Sequence, residues 1–157
     1  MLMSAKYRKI EKIILGFFKK MDIDIDSETK KIEDVLRINI KPKDEKLASL
    51  LIGYRGENLF SIQHIVRVLA RKKIGGSAKI MLDVNDYRER HSESLKEMAL
   101  SLAERVKRTQ RVELLRPMTA YERRIVHIAI KELGGLITQS VGEEPNRRVI
   151  IKPESSE

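Results

Sequence analysis

Two glycines three positions apart enclose a tyrosine and an arginine at residues 53–56, where the flanking sequence otherwise reads as apolar helix. Glycine adopts backbone angles closed to other residues, and without a Cβ it lets a sugar–phosphate backbone approach the main chain. The first amides of the following helix form a natural anion site, and Arg55 adds a full charge. Tyr54 either stacks on a ligand or shields the turn. Gly53, Tyr54, Arg55 and Gly56 are therefore candidate phosphate contacts, although G-x-x-G alone also describes an ordinary helix corner.

A second candidate group lies in the segment YERRIVHIAI, residues 121–130. At 100° per residue in a helix, Arg123 and His127 lie together, with Lys131 one turn further on. An imidazole one turn from a guanidinium can hold a phosphate between two donors. The residues expected on the opposite, core-facing side are Tyr121, Ile125, Ile128 and Ala129. Because burying His127 would expose part of that apolar side, the pattern favours a surface role, and we include Arg124 among the candidate contacts.

Catalysis is not favoured by the remaining polar residues. The only histidines are His64, His91 and His127. In RERHSES, His91 beside Ser92 and Ser94 suggests a hydrolase, but neighbours along a helix point in different directions and form no triad by themselves. The aspartates of MDIDIDS are more simply a solvated strand face than a metal site, and GYRGEN lacks the Lys-Ser/Thr ending of a P-loop. We therefore expect no catalytic residue, no metal and no cofactor.

The composition favours a polyanionic partner. Lys and Arg outnumber Asp and Glu by 32 to 23, for a formal net charge of +9, which favours nucleic acid before an anionic membrane. Cysteine is absent from the sequence, which excludes disulfides and zinc fingers and fits a reducing compartment. No apolar run approaches the ~20 residues that cross a bilayer, and packing on a sheet explains the basic N-terminal helix better than a membrane surface. We expect a cytoplasmic protein without direct membrane insertion.

The first half of the sequence predicts the order helix, strand, strand, helix, helix, strand. An amphipathic helix covers residues 7–21, strict alternation in MDIDIDS predicts a strand, and ETKK predicts a turn. The strand VLRINIK and the short helix DEKLASLLI follow, and Gly53 ends that helix. A longer helix runs from 56 or 57 to about 73 and is ended by Gly75 and Gly76, and KIMLDV supplies the third strand.

The second half predicts the order helix, strand, helix, strand, strand. A long helix runs to about Arg108, and RVELLRPM reads as a strand that ends at Pro117. TAYE is a capping box that opens the next helix, which continues to Leu133. LITQSVG and RRVIIK are strands around the turn EEPN. We therefore expect an α+β protein of two small domains, each a three-stranded sheet covered by helices.

The first half resembles the KH domain in its prokaryotic type II order. The resemblance rests on the glycine turn between two helices, after two strands and before a third, and on LLIGYRGENLFSIQHIV, which looks like the signature segment of that family. In KH domains the G-x-x-G loop clamps the backbone of about four unpaired nucleotides, and the bases lie over an apolar groove. The resemblance covers most of residues 1–84 and implies that Gly53, Tyr54, Arg55 and Gly56 contact phosphates.

Residues 85–153 resemble the R-three-H domain, a small single-stranded nucleic-acid-binding module named for its Arg-x-x-x-His spacing. The match rests on RPMTAYERRIVH, on SVGEEPNRRVIIKP and on the long helix that precedes them. It implies that Arg123 and His127 are the defining pair. Arg147 and Arg148 match the basic residues after the hairpin turn, and a solvated strand charge is the alternative for one of the two.

A KH domain followed directly by this module is the arrangement of the bacterial Jag family, the SpoIIIJ-associated RNA-binding proteins. We expect a KH-like domain over residues 1–84, an R-three-H domain over 85–153 and a tail over 154–157. Many members of the family have a further N-terminal domain before a flexible linker, whereas this sequence starts at the KH helix. The resemblance therefore gives no expectation for contacts that run through that extra domain.

The resemblance implies a non-catalytic protein that binds single-stranded RNA at two adjacent points, as a bacterial post-transcriptional regulator or RNA chaperone. Single-stranded DNA is an alternative ligand, and a protein–protein adaptor is the alternative function. Because KH domains can pair with each other, self-association or pairing with another KH protein is a further expectation. A hydrolase is the remote alternative. Steep weakening by salt would distinguish binding of a nucleic acid from an adaptor role.

Overall fold

The computed structural model of the protein describes residues 5–75 and 79–154. The chain divides into two compact units, Met1–Tyr87 and Arg88–Glu157. Each unit contains a three-stranded sheet accompanied by helices, so the predicted α+β class is confirmed. Residues 1–4 and 76–78 of the predicted KH-like domain, including Gly76 as a helix end, and residues 155–157 of the predicted tail lie outside the described residues.

The first unit has the predicted order of elements. Its helices are α1 (Ala5–Lys19), α2 (Glu45–Ile52) and α3 (Glu57–Ile74), and its strands are β1 (Ile25–Ile32), β2 (Val35–Pro42) and β3 (Lys79–Val84). Strand β2 is central, antiparallel to β1 and parallel to β3. Helix α2 begins after Asp44, whose carboxylate accepts a hydrogen bond from the amide of Lys46 at 2.9 Å.

The core of the first unit lies between one face of this sheet and the helices. Leu36, Ile38 and Ile40 alternate along β2 and are completely buried, as the two-residue period of a strand requires. Their partners in the core cluster include Ile10, Ile14 and Phe18 of α1 and Leu59 and Val66 of α3. Since close-packed side chains hold α3 against the sheet, the turn between α2 and α3 is supported by the core.

Two boundaries near β1 differ from the prediction. The strand predicted over MDIDIDS is wrong at its start, because residues 20–24 form the connection after α1 and β1 begins at Ile25. The turn predicted at ETKK is also wrong, since Thr29 lies inside β1 opposite Ile38. The chain reverses instead at residues 33–34. Pairing with the apolar strand β2 therefore decides the register, although the side chains of β1 are largely polar.

The second unit also has the predicted order. Its helices are α4 (Tyr87–Thr109), which starts at the boundary between the units, and α5 (Ala120–Leu133). Its strands are β4 (Glu113–Leu114), β5 (Leu136–Val141) and β6 (Arg148–Pro153). Strand β6 is central and antiparallel to both neighbours. The strand predicted over RVELLRPM is only two residues long. After β4 the chain makes two isolated backbone hydrogen bonds. Leu115 N donates to Val149 O of β6, and Met118 N donates to Arg147 O in the turn before β6, both at 2.9 Å.

Helix α5 starts at the predicted capping box. Glu122 N donates to Thr119 Oγ1, and the carboxylate of Glu122 accepts from Thr119 N at 2.8 Å. Burial alone would raise the pKa of Glu122, but hydrogen bonds from Thr119 and from His91 hold that pKa below its usual value. His91 Nε2 lies 3.0 Å from Glu122 Oε1, so His91 of α4 supports the start of α5.

Candidate nucleic-acid interface

The glycine turn joins α2 to α3 through a single turn of 3-10 helix, Tyr54–Gly56. Gly53 has a φ of 71° and Gly56 a φ of 82°, in the region that glycine adopts without steric cost. Arg55 between them has a φ of 52°, a conformation that costs a residue with a Cβ roughly 1–2 kcal/mol. Gly56 N donates to Gly53 O at 3.3 Å. The strained turn leads directly into the N-terminus of α3.

Both glycines are packed against side chains of the first unit. A Cβ on Gly53 would stand 2.5 Å from Cγ of Asn58, and a Cβ on Gly56 would stand 2.9 Å from Cε1 of Tyr87. Asn58 Nδ2 also donates to Leu50 O at 2.8 Å, which satisfies a carbonyl near the end of α2. The space of the missing Cβ atoms is therefore filled by the protein itself, and the glycines allow the turn to close tightly.

The tip of the turn remains open to solvent. Tyr54 is 68% exposed, and the guanidinium carbon of Arg55 lies 4.9 Å from the centre of its ring, within the range of a cation–π contact. Tyr54 therefore supports Arg55, a role that its type and position alone did not indicate. The tip presents a guanidinium beside the amino end of a helix, an arrangement that attracts anions.

Apolar and acidic residues flank the tip. Leu50, near the end of α2, and Phe60, in the first turns of α3, are large apolar side chains that are mostly exposed. Apolar surface of this kind beside an anion site can receive bases. Glu57, in the first turn of α3, is exposed; its charge stabilises the helix end but repels a phosphate there. Sequence reasoning assigned none of these three residues.

In the second unit Arg123 is buried, and the predicted orientation of α5 is wrong. Arg123 is only 7% exposed, whereas Tyr121 and Ile128, which were expected in the core, are 59% and 44% exposed. Ile125 and Ala129 are buried as predicted, but the completely buried apolar positions of α5 are Val126 and Ile130. Apolar residues occupy adjoining sides of α5, so the sequence pattern is compatible with more than one buried face. Packing against the sheet decides which of these faces is buried.

The Arg123 guanidinium is engaged by its own unit. In the described part of the chain, its two hydrogen bonds both leave from Nη1, to Met118 O at 2.7 Å and to Glu144 Oε1 at 2.8 Å. Glu144 lies in the turn between β5 and β6 and is more than half exposed. Arg123 thus ties the segment before α5 to that turn, and a phosphate that binds Arg123 must share it with the Glu144 carboxylate or displace it.

His127 bridges α5 to β5. Its Nδ1 lies 2.7 Å from Thr138 Oγ1, and its Nε2 lies 2.8 Å from Ser140 Oγ. Partial burial, and then the positive charge of Arg123, lower the pKa of His127 below its ordinary value. The imidazole is therefore neutral at pH 7, with both ring nitrogens in hydrogen bonds to hydroxyls. The signal that the sequence did offer is the T-x-S alternation, which places both hydroxyls on one face of β5.

The other predicted cations divide between two faces of the second unit. Arg147 is exposed, and its carbonyl accepts from Met118 N, the residue whose carbonyl Arg123 holds. The backbone of Arg147 therefore lies at one corner of the unit with Arg123 and His127, and Arg124 and Lys131 are exposed on the helix that carries those two residues. Arg148 precedes the buried Val149 on β6, so that the pleat directs it to the opposite face of the sheet. Its Nε donates to Asn146 O at 3.2 Å.

Residues 5–75 and 79–154 contain neither a cluster of metal ligands nor a membrane-spanning helix. No group of three or more His, Asp or Glu side chains there could hold a metal ion. Among the helices of those residues, none combines the length and the apolar character needed to span a membrane.

Comparisons with known proteins give one domain and several relatives. The model of the R-three-H domain matches residues 93–153, within the segment that resembles this module. The chain is 40% identical over 131 residues to the RNA-binding protein KhpB of Clostridium symbiosum, 30% over 142 residues to that of Streptococcus pneumoniae serotype 2, and 31% over 106 residues to that of Bacillus subtilis. These alignments cover 83%, 90% and 66% of this chain but 58%, 43% and 51% of the relatives. The chain thus spans about half the length of the relatives that it matches.

Proposed function

Because the chain belongs to the Jag family, we propose that it is a non-catalytic protein that binds single-stranded RNA. Its relatives carry the name RNA-binding protein, and its net charge of +9 suits a polyanionic ligand. In this proposal the first unit is a KH-type domain and the second, with its R-three-H domain, provides an adjoining contact.

The observation that carries the proposal is the geometry of the glycine turn. The turn is held from behind by Asn58 and Tyr87, so its backbone is fixed before a ligand arrives. Its front presents a partly buried Arg55 beside the exposed ring of Tyr54. Preorganisation of this kind lowers the entropy that binding costs. In our proposal the phosphates of one strand lie along Gly53, Tyr54, Arg55 and Gly56.

The corner at Arg123, His127 and Arg147 is proposed as the second contact, with Arg124 and Lys131 on the adjoining helix surface. His127 positions the strand β5 through Thr138 and Ser140, and the exposed cations supply attraction to phosphate. Arg148 is proposed only as a peripheral cation, since it lies on the other face of the sheet.

The two contacts are expected to act on one RNA strand. The first unit ends at Tyr87 and the second begins at Arg88, so no linker separates them in sequence. A second contact on a tethered module becomes intramolecular, and overall affinity then exceeds that of either module alone. We propose a role for this binding in bacterial post-transcriptional regulation or RNA chaperoning in the cytoplasm, without a cofactor. Self-association or pairing with another KH protein is proposed as an additional contact.

Binding of a labelled single-stranded RNA across a salt series tests the proposal. With three to five phosphates neutralised, the logarithm of the association constant should fall with a slope on the order of −2 to −4 against log salt. Duplex RNA of the same sequence serves as the control and should compete at least tenfold more weakly. Equal competition by the duplex, or an affinity that does not change with salt concentration, would contradict the proposal. An unlabelled DNA strand of the same sequence decides between RNA and DNA.

A further inference from the structure

A groove of about 590 Å³ runs between α1 and α3 of the first unit. Its apolar floor consists of Ile13 and Phe17 from α1 and Ile65 and Leu69 from α3. The Phe17 ring is fixed by an edge contact with the buried Phe18, with ring centres 5.4 Å apart and planes at 77°. The volume is that of an ordinary binding cleft. The groove is therefore a preformed apolar surface, formed by residues that the proposed RNA contacts do not use.

Gly16 lies in the lining of this groove, inside α1. A glycine in a helix interior lowers helix stability relative to alanine, because it gives up more backbone freedom on folding. At Gly53 and Gly56 the fold itself requires glycine, but at Gly16 a Cβ would meet no atom within 4 Å and φ is ordinary. Nothing in the described residues of the unit accounts for glycine at this position. An occupant that approaches the α1 backbone would account for it.

Four lysines surround the apolar floor: Lys9, Lys12, Lys20 and Lys73. They are the only charged residues that line the groove in the described part of the chain. Lysine keeps an ammonium in water above an aliphatic stem, so the rim combines positive charge with an apolar floor. A complementary ligand has an apolar stripe flanked by negative charge.

We propose that this groove is the docking site for an acidic amphipathic helix of a partner protein. A helix laid along α1 and α3 would place leucine-like side chains on the floor and approach most closely over Gly16. Its carboxylates would then face the four lysines of the rim.

Other occupants fit the groove less well. RNA is disfavoured because the rim carries lysine without arginine, which would grip phosphate in two places, and because the floor is largely aliphatic. A flat lipid surface would not reach a floor between two helices. A second copy of this chain, with its net charge of +9, complements the four lysines of the rim less well than an acidic helix does.

A designed peptide of about sixteen residues tests the proposal on the full chain. It carries leucines at i, i+3, i+4 and i+7 spacing and glutamates elsewhere, and a scrambled peptide of the same composition lacks the stripe. Fluorescence anisotropy should show the striped peptide bound at least tenfold more tightly than the scrambled one. Methyl NMR signals of Ile13, Ile65 and Leu69 should shift on titration. Equal affinity for the two peptides, or shifts elsewhere only, would overturn the proposal.

The variant Gly16→Leu separates the groove from every other surface. Its Cβ would meet no atom within 4 Å, and leucine favours a helix more than glycine does, so the thermal midpoint should be at least that of the wild type, and RNA affinity should not change. Affinity for the striped peptide should fall at least tenfold. If peptide affinity is unchanged, or if Gly16→Leu instead weakens binding of RNA or of phosphatidylserine vesicles, the proposed occupant is wrong.

Charge reversal tests the rim. Lys12→Glu with Lys73→Glu should weaken binding of the striped peptide about tenfold or more. The matched control is Lys6→Glu with Lys96→Glu, which changes the net charge of the chain equally at exposed positions outside the groove. If both pairs weaken the peptide to the same extent, the attraction is a property of the overall charge, and the groove is not its site.

Discussion

At the glycine turn of the first unit the protein offers a fixed backbone and an exposed tyrosine beside a partly buried arginine, whereas at the corner of the second unit the arginine is buried and paired with a carboxylate. Arg55 rests on Tyr54, a contact that leaves the tip open to solvent. Arg123 is bound to Glu144, and His127 is bound to Thr138 and Ser140. At the corner a phosphate must therefore share Arg123 with Glu144 or displace Glu144, whereas at the turn the exposed ring of Tyr54 leaves the tip accessible to a phosphate.

This difference predicts an unequal division of binding energy. When a phosphate must first break an ion pair, the binding free energy gains only the difference between the new interaction and the old one. The turn should therefore carry most of the affinity for RNA, and the corner should carry more of the stability of its own unit.

The largest effect is expected for Tyr54→Asp with Arg55→Asp, which makes the tip of the turn negative. RNA affinity should fall roughly a hundredfold, since a charge-assisted contact worth ~2–3 kcal/mol is lost and repulsion replaces it. Fluorescence anisotropy measures the affinity. Lys96→Asp with Ser101→Asp, two exposed positions of α4, lowers net charge by the same three units and should cost less than fivefold. A similar loss in both variants would show that only overall charge matters.

The glycines themselves are left intact in that variant for a structural reason. Aspartate tolerates the positive φ of Arg55 better than most residues do, so the turn should keep its shape. A side chain on Gly56 would instead press on Tyr87, and a loss of binding would then not be separable from a loss of the fold. Unchanged circular dichroism and thermal midpoint are the control for the double variant.

Arg123→Ala should show the opposite balance, with a larger effect on folding than on RNA. Removal of the guanidinium leaves the Met118 carbonyl without its donor in a buried site and should cost about 2 kcal/mol of the free energy of unfolding. RNA affinity should fall only about threefold once the variant is folded. Its neighbour Arg124→Ala, at an exposed position, should leave stability within ~0.5 kcal/mol. Urea denaturation measures both; equal stability of the two variants would contradict the structural role of Arg123.

A smaller effect, of opposite sign, is expected for Glu144→Gln. The change keeps the size of the side chain but removes the carboxylate that competes with phosphate for Arg123, so RNA affinity should rise about fivefold, or ~1 kcal/mol. Glu143→Gln, one residue earlier and also exposed, changes the net charge equally and should raise affinity less than twofold. A fall in affinity for Glu144→Gln would mean that Glu144 orients Arg123 toward the RNA.

The order of elements could be predicted from the sequence because apolar periodicity and end signals agree along most of the chain. The capping box at Thr119 and the helix end at Gly53 are local signals, and both occur as expected. The start of β1 could not be predicted, since Thr29 and its neighbours are polar and join the sheet only through β2. Tertiary pairing decides such a strand, and no local pattern records it.

The positions of the candidate site residues could be read from the sequence, but the contacts around those residues could not. The spacing of Arg123 and His127 is visible in the sequence, but Glu144 meets Arg123 only when β5 and β6 form their hairpin. The support of Gly56 by Tyr87 joins positions far apart in the chain, and nothing near either residue signals it. The contacts that decide whether a cation is available are therefore set by the fold.

The smallest predicted effect concerns His127 and pH. Its pKa in the folded protein lies below the ordinary value of about 6.5, so its contribution to stability is complete above pH 6.5. That contribution is lost as the pH falls from 6.5 through the folded pKa, because the unfolded chain then binds the proton more readily. Since the imidazole is only partly buried, we expect a loss below ~1 kcal/mol. The stability of wild type relative to His127→Gln should decrease between pH 7.5 and 5 in urea denaturation.

RNA should change this pH response in a way that distinguishes the two roles of His127. A phosphate beside the ring favours the imidazolium, so RNA affinity of the wild type would rise as the pH falls through the same window, and that of His127→Gln would not. If His127 only holds α5 to Thr138 and Ser140, the two proteins will show the same pH dependence of RNA affinity. Because the corner is occupied by its own contacts, we expect the second result, with pH acting on folding alone.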